Sequence, residues 1–562
     1  MSAASVPSSA SLAGSTPTPD APEERRQLAS RVLTDALLLG AVGDALLRDA
    51  AWGANMTAWT VAVVAALFTL ARRRHDAVPS DARWLALPAI ALSLMYAWRD
   101  ADSLAAYNTL ALIGTFGLLA TAVARGPRSG VLSGRVRDVV ENVATVGIGV
   151  VFGMLPLMFS DVSLRHVAQA RGAARAMVWL RAALIAIPLL LVFGGLFASA
   201  DPVFARIMGD LISIDAELVA SHLVIGGIIA WLVGGFLRAS VLTNGGWNLS
   251  ARLPDGALGL TEVSVALGSL VLLFAAFVGV QLRYFFGGDA LVQATAGMGY
   301  ADYARRGFFE LVTVAALMLP VLLSANALLR RATPRADTVY RVLATTLLTL
   351  LAVIMYSAFA RMRLYQSVYG MSVDRLYATV FMAWLAVVFV WFAATVLRGR
   401  GGKFVAGVLV SAWGTLITLN VANPVANVAA SNVARAARGK HLDVRYIQSL
   451  GADAAPALAG YLVRQPLAPP AGWVPGSPDA ASSGPPSEAD RDGYTARCVA
   501  ARHLLDRWGP SSTTDWRSWT LGRARATRAV AANERALTTL AGYGTLAGRG
   551  VSCPQPPAKP AS

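Results

Sequence analysis

Roughly eleven separate stretches of about twenty apolar residues run through this chain, most of them long enough to cross a bilayer as a helix, with the first, interrupted by Asp44, and the third short. A clear one is LYATVFMAWLAVVFVWFAATVL, from Leu376 to Leu397, which carries no charge. At about 1.5 Å per residue it reaches about 33 Å, enough for a hydrocarbon core. A single core in water cannot hide so many runs of this kind. The chain therefore reads as an all-α, polytopic membrane protein with about 11 transmembrane helices and a small helical extramembrane domain at its C-terminal side. Apolar residues make up 55% and charged residues only 15%, against about 25% charged in soluble proteins.

The expected crossings are 33–47, 54–71, 84–98, 103–123, 177–199, 218–237, 261–282, 309–329, 340–360, 376–397 and 401–421. Trp84 and Trp98 bracket the third as interfacial anchors would. Residues 143–159 contain Gly147, Gly149, Gly153 and Pro156 and would make a twelfth if they crossed.

Arginine placement argues against that. Arg25, Arg26 and Arg31 precede the first span, and Arg72, Arg73, Arg74 and Arg83 lie in the second loop. The loops between carry only Arg48 and Arg99. This positive-inside alternation puts the N-terminus in the cytoplasm. Arginines then flank 143–159 on both sides, so the segment is expected to dip in without crossing. Eleven crossings put the C-terminus outside.

The only cysteines, Cys498 and Cys553, both lie in the C-terminal region, as a disulfide in an oxidising compartment would require. Two unrelated thiols are the alternative.

The rest divides by composition. Residues 1–30 read as a Ser/Ala/Pro/Thr-rich disordered tail, not a signal peptide, and 31–421 as the membrane domain. Residues 422–465 read as a helical juxtamembrane segment in which Ser449 or Asp453 caps a helix, and 466–490 as a Pro/Ser/Gly-rich linker. Residues 491–553 read as helical again and 554–562 as disordered.

No Walker A loop, HExxH, CxxC or GxSxG is present, so nothing calls for a cofactor, a metal or a catalytic residue. Gly149 and Gly153 read as a helix-packing pair. The net charge of +16 is nearly all arginine, and no basic segment is interleaved with aromatics as nucleic-acid modules require. The expected partner is the lipid bilayer.

One constellation stands out. The segments 281–288, 300–311 and 361–377 and the region after 421 follow alternate crossings, so they share one side of the membrane. They collect Arg283, Tyr284, Tyr303, Arg305, Arg306, Arg361, Arg363, Tyr369 and Arg375, with Glu310 and Asp374 at the starts of the following spans. Guanidinium groups bind phosphates and carboxylates bidentately, so this side is a candidate site for an anionic lipid, ligand or envelope partner. The plainer reading is that the arginines pair with Glu310 and Asp374 and anchor the span ends.

The same segments, QLRYFFGG, YADYARRGFFEL and RMRLYQSVYGMSVDRLY, together with AWRDADSLAAYNTLAL and LDVRYIQSLGADAAPAL, resemble the bacterial integral-membrane family called domain of unknown function 4173, related to 4153. The resemblance covers residues from about 33 to about 465 and implies a bacterial inner-membrane protein without assigning an activity. A non-enzymatic envelope protein is the leading expectation. A secondary transporter would need ionisable or polar groups in mid-span, for which Asp44, Asn108, Glu262 and Gln281 are the candidates. An enzyme acting on lipid-linked substrates would need convergent carboxylates.

Overall fold

The computed structural model describes residues 21–75, 77–126, 136–161, 214–243, 257–296, 308–331, 333–467, 493–510 and 515–542, with isolated positions between them. All of its regular elements are helices. They are α1 (Ala21–Leu47), α2 (Ala54–His75), α3 (Ser80–Trp98), α4 (Asp102–Arg125), α5 (Val136–Phe152), α6 (Ile214–Val241), α7 (Leu260–Ala296), α8 (Phe308–Leu328), α9 (Pro334–Tyr369), α10 (Val373–Thr395) and α11 (Phe404–Ala422). Six shorter ones follow: α12 (Pro424–Ala436), α13 (Val444–Ser449), α14 (Ala455–Leu462), α15 (Tyr494–Trp508), α16 (Leu521–Ala532) and α17 (Glu534–Leu540).

Among the described residues 8 helices are long and apolar enough to cross a membrane, or 9 if one bent pair counts as a span. α1 and α3 fall short of that standard. α1 carries Arg31, Asp35 and Asp44, and α3 opens on Asp81 and Arg83. α1 also starts inside the stretch expected to be a disordered tail, because Arg25 and Arg26 find acidic partners in Asp161 and Glu23. The expected crossing 177–199 and linker 466–490 lie largely outside the described residues.

Hydrogen bonds at the helix termini define two ends of the bundle. At the first end Arg25 and Arg238 bind the two carboxylate oxygens of Asp161, at 3.1 and 2.7 Å. Arg74 donates there to the carbonyls of Ser240, Ala124 and Thr243. At the second end Arg517 donates to the carbonyls of Ala45 and Arg48 in the last turn of α1. α1 is 27 residues long, about 40 Å at the helical rise, so its start and the C-terminal domain lie at opposite ends.

Residues 143–159 form a broken helix. The helix is bent by 54° between α5 and the turn Met154–Asp161. Gly149 meets Ala239, Gly153 meets Gly235, and the Trp231 indole N–H donates to the Val151 carbonyl. Asp161 then returns to Arg25 and Arg238. Gly149 and Gly153 pack against α6, as expected of a helix-packing pair.

Two cores fill the bundle. One unites α1 to α6 through Leu67, Leu119, Leu157 and Leu237, and the other unites α7 to α11 through Leu267, Leu322, Leu347 and Phe392. α11 joins them by packing on α3 and α4, where the Trp413 indole N–H donates to Thr115 Oγ1 at 3.0 Å.

The close approach of α5 to α6 is testable. A Cβ on Gly235 would lie 2.2 Å from the Val150 carbonyl oxygen, whereas one on Gly227 meets nothing. Gly235→Ala should destabilise the protein by about 1–3 kcal/mol through overpacking. Gly227→Ala should leave thermal unfolding in detergent unchanged or slightly raised.

Candidate functional site

The described part of the expected arginine and tyrosine cluster is built around the turn between α9 and α10. Gly370 closes α9 at φ +82°, and its absent side chain leaves room for Asn432. Arg375, one turn into α10, folds back over this turn. It donates to the Gly370 carbonyl at 2.6 Å and to Tyr365 Oη at 3.0 Å, and its guanidinium lies 4.1 Å from the Tyr365 ring centroid. Tyr365 in turn packs edge-on against Tyr369. Arg361 donates to Gln281 Oε1 at 2.7 Å, which Ser357 also approaches. Arg363 is exposed and rests over Phe359.

Among the described residues, Arg375 pairs with neither Asp374 nor Glu310. Asp374 and Glu310 are exposed, and Arg361 and Arg375 are held by amide, carbonyl and phenol oxygens. Arg283 and Tyr284 fall on α7 with side chains outside the described residues, and Tyr303, Arg305 and Arg306 lie outside them altogether.

The C-terminal segment supplies cations that the sequence reading left out. Asn432 Nδ2 donates to the Met371 carbonyl at 2.8 Å, Arg435 to the Ser367 carbonyl at 3.0 Å, and the Val373 amide to Tyr446 Oη at 2.9 Å. These bonds seat α12 and α13 on the α9–α10 turn. Arg438 and Lys440, just after α12, and Arg445, on α13, are exposed, as is Arg363 on α9. Beside α12 an open cleft of about 490 Å³ runs between α10 and α11, lined by Leu376, Val380, Ser411, Thr415, Thr418 and Asn427.

Beneath this surface lies a buried polar network. Arg99, at the end of α3, donates to the carbonyls of Asn420 and Val421 and faces Asp453 Oδ1 at 3.4 Å. Asp453 also accepts from Asn423 Nδ2 at 2.9 Å and from the Asp100 amide at 3.1 Å. Both partners are almost wholly enclosed, with side chains 5% and 1% exposed. Burial pushes the Arg99 guanidinium below its ordinary value, and the Asp453 charge opposes that. One layer deeper, Asn108 and Asn420 exchange amide hydrogen bonds at 3.2 and 3.0 Å. Asp453 is thus no helix cap. Asp443 caps α13 instead, by accepting from the Tyr446 amide.

Arg99 and Asn108 belong to AWRDADSLAAYNTLAL and Asp453 to LDVRYIQSLGADAAPAL, so two distant blocks of the resemblance meet here. A family model described as Domain of unknown function (DUF4153) matches residues 86–461, from within α3 to within α14. The chain belongs to this family. The family shown is DUF4153, and its relative 4173 is not. Neither the curated proteins nor the solved structures contain a match. The DUF4153 match spans the Arg99–Asp453 pair and the α9–α10 turn, while α15 to α17 lie outside it.

The remaining polar candidates are each paired locally. Asp44 accepts from His222 Nδ1 at 2.5 Å, and Glu262 turns back on the Gly259 amide at the start of α7. Gln281 and Asn108 are held as described. Cys498 is buried in the C-terminal core, and Cys553 lies outside the described residues.

Removing one member of the buried pair strands the other charge. Arg99→Ala or Asp453→Ala should destabilise the full chain by about 3–5 kcal/mol. The double change Arg99→Met with Asp453→Leu should recover much of the loss, read as thermal unfolding in detergent.

Proposed function

We propose that this DUF4153 chain is a non-enzymatic protein of the bacterial inner membrane that binds an anionic lipid headgroup on the surface around the α9–α10 turn. The supporting observation is the imbalance of exposed charge there. Arg363, Arg438, Lys440 and Arg445 face solvent, with Asp374 the exposed acid on the turn. A purely structural network tends towards balance, and a phosphate would supply the missing counter-charge. The neighbouring cleft suits an acyl chain, being mostly apolar with a row of hydroxyls on α11 at Ser411, Thr415 and Thr418. Arg305 and Arg306, which precede α8 in the sequence, extend the same reading.

Native mass spectrometry with short-chain phosphatidylglycerol and phosphatidylcholine tests this. Phosphatidylglycerol should bind more tightly. Replacing Arg363, Arg438 and Lys440 by Gln should weaken it by about tenfold or more, equivalent to about 1.4 kcal/mol, without lowering thermal stability. Equal affinity for the two lipids would overturn the reading.

The accompanying topology has eleven crossings, a cytoplasmic N-terminus and an extracytoplasmic C-terminus. It is supported by the arginines of the first end and by the placement of the start of α1 and of the Arg517 turn at opposite ends of the bundle. A Cys498–Cys553 disulfide fits that side of the membrane. Alkaline phosphatase fused to the C-terminus should be active, and unreduced protein should resist alkylation. An inactive phosphatase with a fluorescent cytoplasmic reporter would reverse the orientation.

A further inference from the structure

The turn that joins α15 to α16 exposes large aromatic side chains at an unexpected depth. Trp516 is 65% exposed and Trp519 48%, and Trp52, on the loop between α1 and α2, is 48% exposed. An extramembrane domain in water has little reason to keep indoles on one exposed turn, since each carries a large apolar area.

Backbone hydrogen bonds fix the height of the turn. The Ala54 amide, at the first residue of α2, donates to the Trp519 carbonyl at 3.1 Å. Arg517 reaches past Arg48 to the Ala45 carbonyl, inside the last turn of α1. A Cβ on Gly53 would lie 2.6 Å from the Trp519 oxygen, so the two loops are in close contact. Trp52 packs edge-on against Tyr96, in the last turn of α3, with centroids 5.8 Å apart. The turn therefore sits level with the last helical turns of the bundle, where spans leave the hydrocarbon.

It is also continuous with a lipid-facing surface. From Ala54 the residues Ala58, Val61 and Ala65 follow at helical spacing along α2, and all three are exposed. They form an apolar stripe on a helix long enough to span. The turn stands at the head of this stripe. Its neighbouring charges are already matched, Arg517 with Asp515 at 2.7 Å and Arg523 with Asp100 at 2.6 Å. What remains unmatched is aromatic surface, and indoles favour the headgroup boundary, with an apolar body and a polar N–H.

We infer that the Trp516–Trp519 turn, together with Trp52, inserts into the headgroup region of the bilayer and holds α15 to α17 down on the membrane surface. The partner is the lipid interface itself, recognised through indole partition and not through headgroup charge. The inference is independent of the anionic site, and it requires insertion into a purely zwitterionic bilayer.

The full chain with Trp516→Cys carries a nitroxide label in nanodiscs of dioleoylphosphatidylcholine, and the unsubstituted chain supplies the background. Thr539→Cys, exposed on α17, is the aqueous control. The label at 516 should collide readily with oxygen and poorly with a water-soluble nickel chelate, and the label at 539 the reverse. Ser518→Cys keeps both indoles of the turn and should report the same shallow depth. Chelate-accessible labels at both 516 and 518, matching the control, would overturn the inference.

Discussion

The architecture hangs on the ion pair between Arg99 and Asp453. Enclosing two charges costs several kcal/mol per ion unless their remaining hydrogen-bonding capacity is filled. Here it is filled by groups from four parts of the chain: the end of α3, the end of α11, Asn423 and the turn before α14. Separating any of them would leave a charge or carbonyl unmatched in a dry place. The pair therefore closes a loop of chain between residues separated by 354 positions, and makes the C-terminal segment part of the bundle's second end. The shared core there says the same, since Leu104 of α4 and Val373 and Tyr377 of α10 pack with Val428, Leu458 and Leu504.

The consequence for the surface above is rigidity. The α9–α10 turn is held from below by this closure and from the side by Asn432, Arg435 and Tyr446. Arg375 braces the turn through the Gly370 carbonyl and the Tyr365 hydroxyl, and Arg361 through the Gln281 amide oxygen. The exposed cations stand on a platform whose backbone is over-determined, which lowers the ordering cost of binding.

The two ends of the bundle use arginine differently. At the first end Arg25 and Arg238 share Asp161, and Arg74 is spent on helix-terminal carbonyls. Such contacts lock helices and the bent segment ending at Asp161 together. At the second end Arg48 and Arg99 both lie beside acidic partners. Its exposed basic residues come from α9 and from the segment after α11. That asymmetry favours a binding role for the second end and a packing role for the first.

Helical class, the approximate position of most long apolar helices and the break within residues 143–159 were legible in the sequence. Each rests on local quantities: apolar length, arginine distribution and small residues at packing spacing. The shared end for residues 361–377 and the C-terminal segment was legible from parity alone. The partners of the arginines were not. Arg375 gave no sign of its bonds to the Gly370 carbonyl and Tyr365, and Asp453 looked like a helix cap and is a buried counter-ion. Asn432 and Arg435 gave no signal at all. Periodicity determines which segments cross, because a bilayer imposes one length on every helix. Which polar groups meet at the ends depends on how the helices are arranged around one another, and only the tertiary structure decides that.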